Sequence, residues 1–245
     1  MELRTALANI HRDPLWWRKM LVGGALMLSI VGYPWAQGMV MESLDNTRKG
    51  YPSPLPPWHD WSTRYIMGLF ALLIDFIFFV LPLFVTGLLC FCISMAALVS
   101  NRSEIITWLI RISTAALLLW ELAMFASSVA PVGRLIYAEE GSPEEAMSLR
   151  ALKAALRPGA RRAYARARLL SLPAYLPAVL LGFASWLVVQ SPLPGAFLIA
   201  LLLLWLASSA LLYAHLAVVQ IYAVAERKAG SDLYGEIELS GQRYR

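Results

Sequence analysis

The sequence predicts an all-α fold, a polytopic transmembrane helical bundle of about six spans. Three observations carry this expectation. Hydrophobic residues make up 59% of the 245-residue chain and charged residues 15%, against roughly 45–50% and about 25% in soluble domains. The apolar residues are gathered into long runs, and a hydrocarbon core of about 30 Å takes about 20 residues of helix to cross. The longest run, Tyr65 to Val99, is interrupted mainly by Asp75 and Pro82. It is too long for one ordinary span and barely long enough for two.

Residues 1–19 come first, with Arg4, Arg12, Arg18 and Lys19 against Glu2 and Asp13. Leu3, Leu7 and Ile10 fall at i, i+4 and i+7, the pattern of an interfacial amphipathic helix. Trp16 and Trp17 beside Arg18 and Lys19 make a headgroup-boundary anchor, because an indole sits with its apolar body in lipid and its N–H in water. No convincing small-x-small cleavage site follows, so the first span is expected to stay attached. That span is about 20–41, with Gly23 and Gly24 open to a close helix neighbour and Pro34 as a kink. Residues 42–63 form a polar loop. Its Gly50–Trp58 core holds four prolines, which favour extended polyproline-like backbone and a rigid connector over a partner site. Trp58 and Trp61 mark a second interface.

Dividing the long run near Pro82 gives spans at 64–81 and 83–99. Further spans are expected at 105–128, 169–190 and 195–224, and residues 225–245 form a mobile polar tail with three glycines. Between the fourth and fifth spans lies a basic helical loop, 134–168. Ser142-Pro143-Glu144-Glu145 reads as a helix start, with Ser as N-cap, Pro at N1 and Glu at N3. Leu149, Leu152 and Leu156 make an apolar stripe beside a basic one of Arg150, Lys153 and Arg157, and Pro158-Gly159 stops the helix. Arg161, Arg162, Arg166 and Arg168 then lead into the next span. Such a basic amphipathic segment is expected to lie on anionic headgroups. It lacks the aromatic and polar groups that read bases, which argues against nucleic acid as a partner.

Cytoplasmic loops carry the excess of Lys and Arg. With the N-terminus and 134–168 both inside, the proline-rich loop falls outside and both termini inside. The weak point is the very apolar turn at Pro82. The alternative is five crossings plus a submerged re-entrant segment at 65–81. A faint internal repeat bears on that choice: Gly50-x-Pro52 and Gly141-x-Pro143 are offset by 141 − 50 = 91 positions, as are Leu81-Pro82 and Leu172-Pro173.

Ionisable groups inside spans are costly and are candidate functional residues. Here they are Asp75, Arg111, Glu121 and His215. Depth matching pairs Asp75 with Arg111 and Glu121 with His215, either as an ion or proton path or as packing pairs that neutralise each other. Cys90 and Cys92, at i and i+2, point to different sides and read as packing residues. The three histidines are scattered, without metal-ligand spacing, and no phosphate-binding glycine loop or nucleophile elbow occurs. No cofactor is expected. The function expected is a non-enzymatic scaffold or accessory subunit of a cell membrane, with membrane-protein partners or further copies of itself. A permease using the four buried ionisable residues is the alternative.

Trp16-Trp17-Arg18-Lys19 followed by Gly23-Gly24, the Gly50 loop leading to Pro57-Trp58-His59-Asp60-Trp61, and Tyr137-Ala138-Glu139-Glu140-Gly141 ahead of an amphipathic helix together resemble a bacterial and archaeal membrane family, domain of unknown function 4013. The resemblance covers most of Trp16 to Ala229. It implies a multi-pass protein of a prokaryotic plasma membrane and carries no activity, cofactor or catalytic residue with it.

Overall fold

A computed structural model of the chain describes residues 3–100, 103–192 and 194–242. Among these residues the regular structure is all helical. Twelve α-helices follow in order: α1 Leu3–His11, α2 Trp16–Met27, α3 Tyr33–Lys49, α4 Trp61–Asp75, α5 Leu81–Ser100, α6 Ser103–Ser127, α7 Val129–Glu140, α8 Pro143–Met147, α9 Leu149–Leu156, α10 Pro158–Ser171, α11 Leu176–Val189 and α12 Ala196–Gln242. Among the described residues, four helical stretches are long and apolar enough to cross a membrane: Trp61–Ala96, Ile106–Ser127, Pro158–Val189 and Ala196–Gly230. The chain is a membrane protein with four such helices where about six spans were expected.

The first correction concerns Pro82. The chain does not turn there, because α4 continues into α5 through one π turn, Phe76–Val80. A proline inside a helix has no N–H to give and its ring crowds the carbonyl four residues back. Here the widened turn accommodates the ring, and the carbonyl of Phe78, four residues before Pro82, accepts the indole N–H of Trp120 at 3.3 Å. In lipid a freed backbone carbonyl needs such a partner. The expected spans 64–81 and 83–99 are therefore one helix.

The second correction concerns 20–41, which is no span. It breaks at Leu28–Gly32 into α2 and α3. Pro34 occupies the first turn of α3, where a missing N–H costs nothing, so it starts the returning helix. Contacts along α12 show the path. Asn9 bonds Gln220 and Trp16 packs on Tyr213. Gly24 then lies against the Ser209 backbone, and after the turn Gln37 meets His215 and Arg48 meets Glu226. The chain thus dips along α12 and comes back. The turn exposes Ile30 (95%) and Val31 (65%), apolar side chains that suit lipid.

The dip changes sidedness. Lys19 bonds the carbonyl of Leu55 in the proline-rich loop, and Arg48 at the end of α3 reaches Glu139. The N-terminal segment, the proline-rich loop and the basic region therefore share one end of the molecule. The loop expected outside lies with the parts expected inside. Cysteines placed at Ser53 and Glu144, in a background with Cys90 and Cys92 replaced by alanine, should react with an impermeant maleimide from the same face of sealed vesicles. One at Gln190 should react from the opposite face. Ser53 and Gln190 reacting from one face would contradict this arrangement.

Two helical hairpins leave that shared end. In one, α5 packs on α6. In the other, α11 packs on α12, tied by the Ser185 hydroxyl donating to the Ala200 carbonyl at 2.8 Å. Each hairpin makes its main contacts within itself and at its root. Their arms are lined with exposed apolar residues, among them Phe84, Leu118, Phe183 and Phe197. Among the described residues, Arg111 is the one Lys or Arg within 81–127, 176–189 and 196–225. At the roots, α1, α2, α3, α7 and α10 pack on α12, and α4, α8 and α9 pack on α7. The helix continues to Gln242, so the expected mobile tail is helical over its described part.

The 91-residue offset corresponds to a shared construction. Gly50 and Gly141 both cap a helix with left-handed φ, 78° and 68°, a conformation glycine adopts at no steric cost. Gly50 leads through a loop to α4 and Gly141 through the short α8 and α9 to α10, and each of these helices runs into a hairpin arm through a non-α turn beside a Leu-Pro pair, π at Phe76–Val80 and 3-10 at Leu172–Tyr175.

Candidate functional site

The polar centre of the molecule lies where the two hairpins meet their roots. Ser128, between α6 and α7, has left-handed φ of 61°. This sharp turn swings α7 away from the line of α6. The Ser128 hydroxyl is held by the Tyr222 hydroxyl at 2.8 Å. The turn carries Arg134 to Asp75 on α4, and the two form an ion pair. From the other hairpin, Arg168 on α10 lays its guanidinium over the Phe125 ring at 4.2 Å and near Tyr222 at 5.7 Å. His215 on α12 shares a hydrogen bond of 3.3 Å with the Gln37 amide and meets the edge of Tyr175.

These groups surround a cavity of about 260 Å³. Asp75, Arg134, Arg168, Tyr175 and His215 supply its polar wall, and Phe79, Phe125 and Val218 part of its apolar wall. Two arginines face one carboxylate here. The Nε atoms of Arg134 and Arg168 are buried and find no acceptor among the described residues. Tyr33, at the start of α3, feels both charges of the Asp75–Arg134 pair. Burial pushes its phenol pKa up, with Arg134 pulling the other way.

The four ionisable residues singled out from the sequence divide. Asp75 and His215 line the same cavity. Arg111 does not pair with Asp75; it stands exposed on α6, its guanidinium over the Trp108 ring at 5.4 Å. Trp108 lies one turn toward the hairpin tip, so this cation snorkels toward the far interface. Glu121 is half-buried on α6, and one of its carboxylate oxygens meets no donor among the described residues. His215 is bonded to Gln37 and packed on Tyr175, with no bond to Glu121. Sequence reasoning missed Arg134 and Arg168 because both sit in a polar segment, where a cation needs no special explanation. The signal available was their position at that segment's two ends, next to apolar runs.

The headgroup candidates divide as well. Trp17 is 47% exposed with Arg18 stacked on it at 5.1 Å, as an interface anchor would be. Trp16 packs inward on His11 and Tyr213. Lys19 is a correction: it is buried, paired with Asp13 and bonded to Leu55, so it holds the fold together away from headgroups. Lys153, Arg157, Arg161 and Arg162 are exposed. Arg150 is exposed but engaged by Glu140 and Glu145. The expected single helix from Ser142 breaks at Ser148, whose hydroxyl caps α9 by accepting the Arg150 N–H at 3.1 Å. Ser142 itself makes no such bond. Pro158 does not only stop α9; it opens α10. In α9 the buried residues are Ala151 and Ala155, and Leu149 and Leu156 point outward, 70% and 47% exposed. Among the described residues no three His, Cys, Asp or Glu side chains converge as metal ligands would.

A family model described as a protein of unknown function (DUF4013) matches residues 21–189. No curated protein and no solved structure gives a significant match.

Proposed function

The chain belongs to the DUF4013 family, which brings no activity with it, and from that premise we propose a non-enzymatic membrane scaffold or accessory subunit. It seats on the anionic headgroups of the cytoplasmic face through α9 and α10 and offers that face to other membrane proteins. The observation that supports this reading is the orientation of α9. A surface helix of a water-soluble protein turns leucine in and leaves alanine out. Here alanines face the protein and Leu149 and Leu156 face away, flanked by Lys153, Arg157, Arg161 and Arg162. Apolar side chains between cations match the boundary between acyl chains and acidic headgroups.

Spin labels at Leu149→Cys and Leu156→Cys, in nanodiscs, should be quenched by a lipid-soluble relaxant more than by a water-soluble one. The contrast should grow when phosphatidylglycerol replaces phosphatidylcholine. Water-like accessibility in both lipids would remove the headgroup contact. A photocrosslinker at Arg161 in native membranes should give discrete protein adducts, and lipid adducts alone would remove the scaffold role.

The permease reading is favoured by one observation, the convergence of Asp75 and His215 on one cavity. Wild-type proteoliposomes carrying an ion flux that Asp75→Asn abolishes would replace the scaffold reading with it. The scaffold reading expects no flux above protein-free vesicles.

A further inference from the structure

We propose that the cavity at the root of the two hairpins is a specific binding site for one anionic lipid. Its acidic headgroup is held by Arg134 and Arg168, and its acyl chains run between the hairpins. This goes beyond the surface contact proposed above, uses different residues, and stands or falls separately.

Charge is the first argument. The wall holds two guanidinium groups and one carboxylate, with His215 bonded to the uncharged Gln37. One positive charge is left over in a half-open, largely apolar pocket. A buried charge without its counter-charge is costly, and a single anion would balance this one. Geometry is the second. Arg134 gives a terminal nitrogen to Asp75 and the Arg168 guanidinium sits over the Phe125 ring. Each still has a buried Nε with no acceptor among the described residues. Buried donors are almost always bonded in folded proteins. A phosphate or carboxylate offers several acceptor lone pairs and makes the strong charge-assisted bonds that guanidinium favours.

Depth is the third argument. His215 lies 215 − 196 = 19 residues from the start of α12, about 28 Å at 1.5 Å per residue. Tyr175 lies 189 − 175 = 14 residues from the end of the α11 arm, about 21 Å. With the hairpin tips at one face of a hydrocarbon layer of about 30 Å, the cavity falls near its opposite boundary. That is the level of lipid phosphates. Size is the fourth. A volume of about 260 Å³ is small for a whole lipid and suits a headgroup. The remaining molecule must leave through the gap between two hairpins that pack chiefly on themselves. A free anion would satisfy the charge. It would not use the apolar wall of Phe79, Phe125 and Val218 or the exposed arms above it.

The test uses full-length protein released from membranes in mild detergent, with native mass spectrometry. Phosphatidylglycerol should bind saturably at one copy per chain. Arg168→Gln should weaken it about tenfold, the equivalent of one charge-assisted bond of about 1.4 kcal/mol, and Arg168→Lys should restore part of the loss. Changing Lys153, Arg157 and Arg161 together to glutamine should leave this one copy in place. A photoreactive phosphatidylglycerol should label residues 76–80 and 168–175, which needs no variant to fold. Equal binding by Arg168→Gln, loss on the surface triple change, or labelling confined to the hairpin arms would each overturn the proposal. So would glycerol phosphate or inorganic phosphate stabilising the protein as well as the lipid does, since the site would then take a free anion.

Discussion

Gly68→Ala should cost about 3 kcal/mol or more, although it adds one methyl group to a helix. A Cβ at Gly68 would stand 1.7 Å from the carbonyl oxygen of Pro34 and 2.7 Å from the backbone nitrogen of Gly38. A Cβ at Gly38 would stand 1.9 Å from the carbonyl oxygen of Arg64. Helices α3 and α4 therefore touch backbone to backbone. No side chain can rotate aside to make room, and one helix must move. Small residues at such crossings are how helices associate in lipid, where apolar burial gives no advantage over acyl chains. Gly87 is the internal control. It lies in α5 with nothing within 4 Å of its missing Cβ, so Gly87→Ala should be neutral or stabilise by about 1 kcal/mol through helix propensity alone. Unfolding in mixed micelles, followed by tryptophan fluorescence, compares the two. Equal midpoints would mean that α3 and α4 do not cross this closely.

The membrane character was legible in the sequence, because solvent dictates it. A run such as 176–189 has only one comfortable solvent. Residues 42–49, expected in the polar loop, instead continue α3 until Gly50 ends it through a left-handed conformation other residues resist. The path of the chain was less legible, and prolines are the reason. Pro34 and Pro82 both looked like interruptions. Pro34 begins a helix and turns the chain. Pro82 sits inside a helix and does not turn it, because a π turn and the Trp120 indole, 38 residues away, make it tolerable. That partner is tertiary, and periodicity cannot see it. The same limit applied to the site. Asp75 and His215 stood out because a charge or an imidazole in hydrocarbon must be bonded to something. What each was bonded to depended on Ser128, whose left-handed backbone aims α7 and Arg134 at α4. A serine in a row of apolar residues gives no hint of that. Depth alone paired Asp75 with Arg111, and depth is only one of three coordinates.

Arg64 is the other residue whose loss should be severe. Its side chain is 1% exposed, paired with Glu42, while Nη2 also donates to the Pro57 carbonyl at 2.7 Å and the guanidinium faces the Trp58 ring at 5.4 Å. One side chain thus ties α3, α4 and the proline-rich loop together, and Trp58 in turn rests near Gly23 of α2. Arg64→Met keeps the aliphatic volume and removes the charge. Breaking a buried pair from one side costs about 3–5 kcal/mol, because the remaining charge is stranded. Glu42 is 31% exposed and water can reach it, so the lower end of that range is expected. Lysine should not rescue the protein: an ammonium cannot serve the carboxylate, the carbonyl and the ring face in the planar geometry that guanidinium allows. Glu42→Gln should be milder, since the Pro57 and Trp58 contacts survive it. The double variant should cost clearly less than the sum of the two single changes, as neighbours sharing one interaction do. If the two losses simply add, Arg64 and Glu42 do not act as a pair, and the seat of the proline-rich loop against α2 must come from its prolines and Trp58 alone.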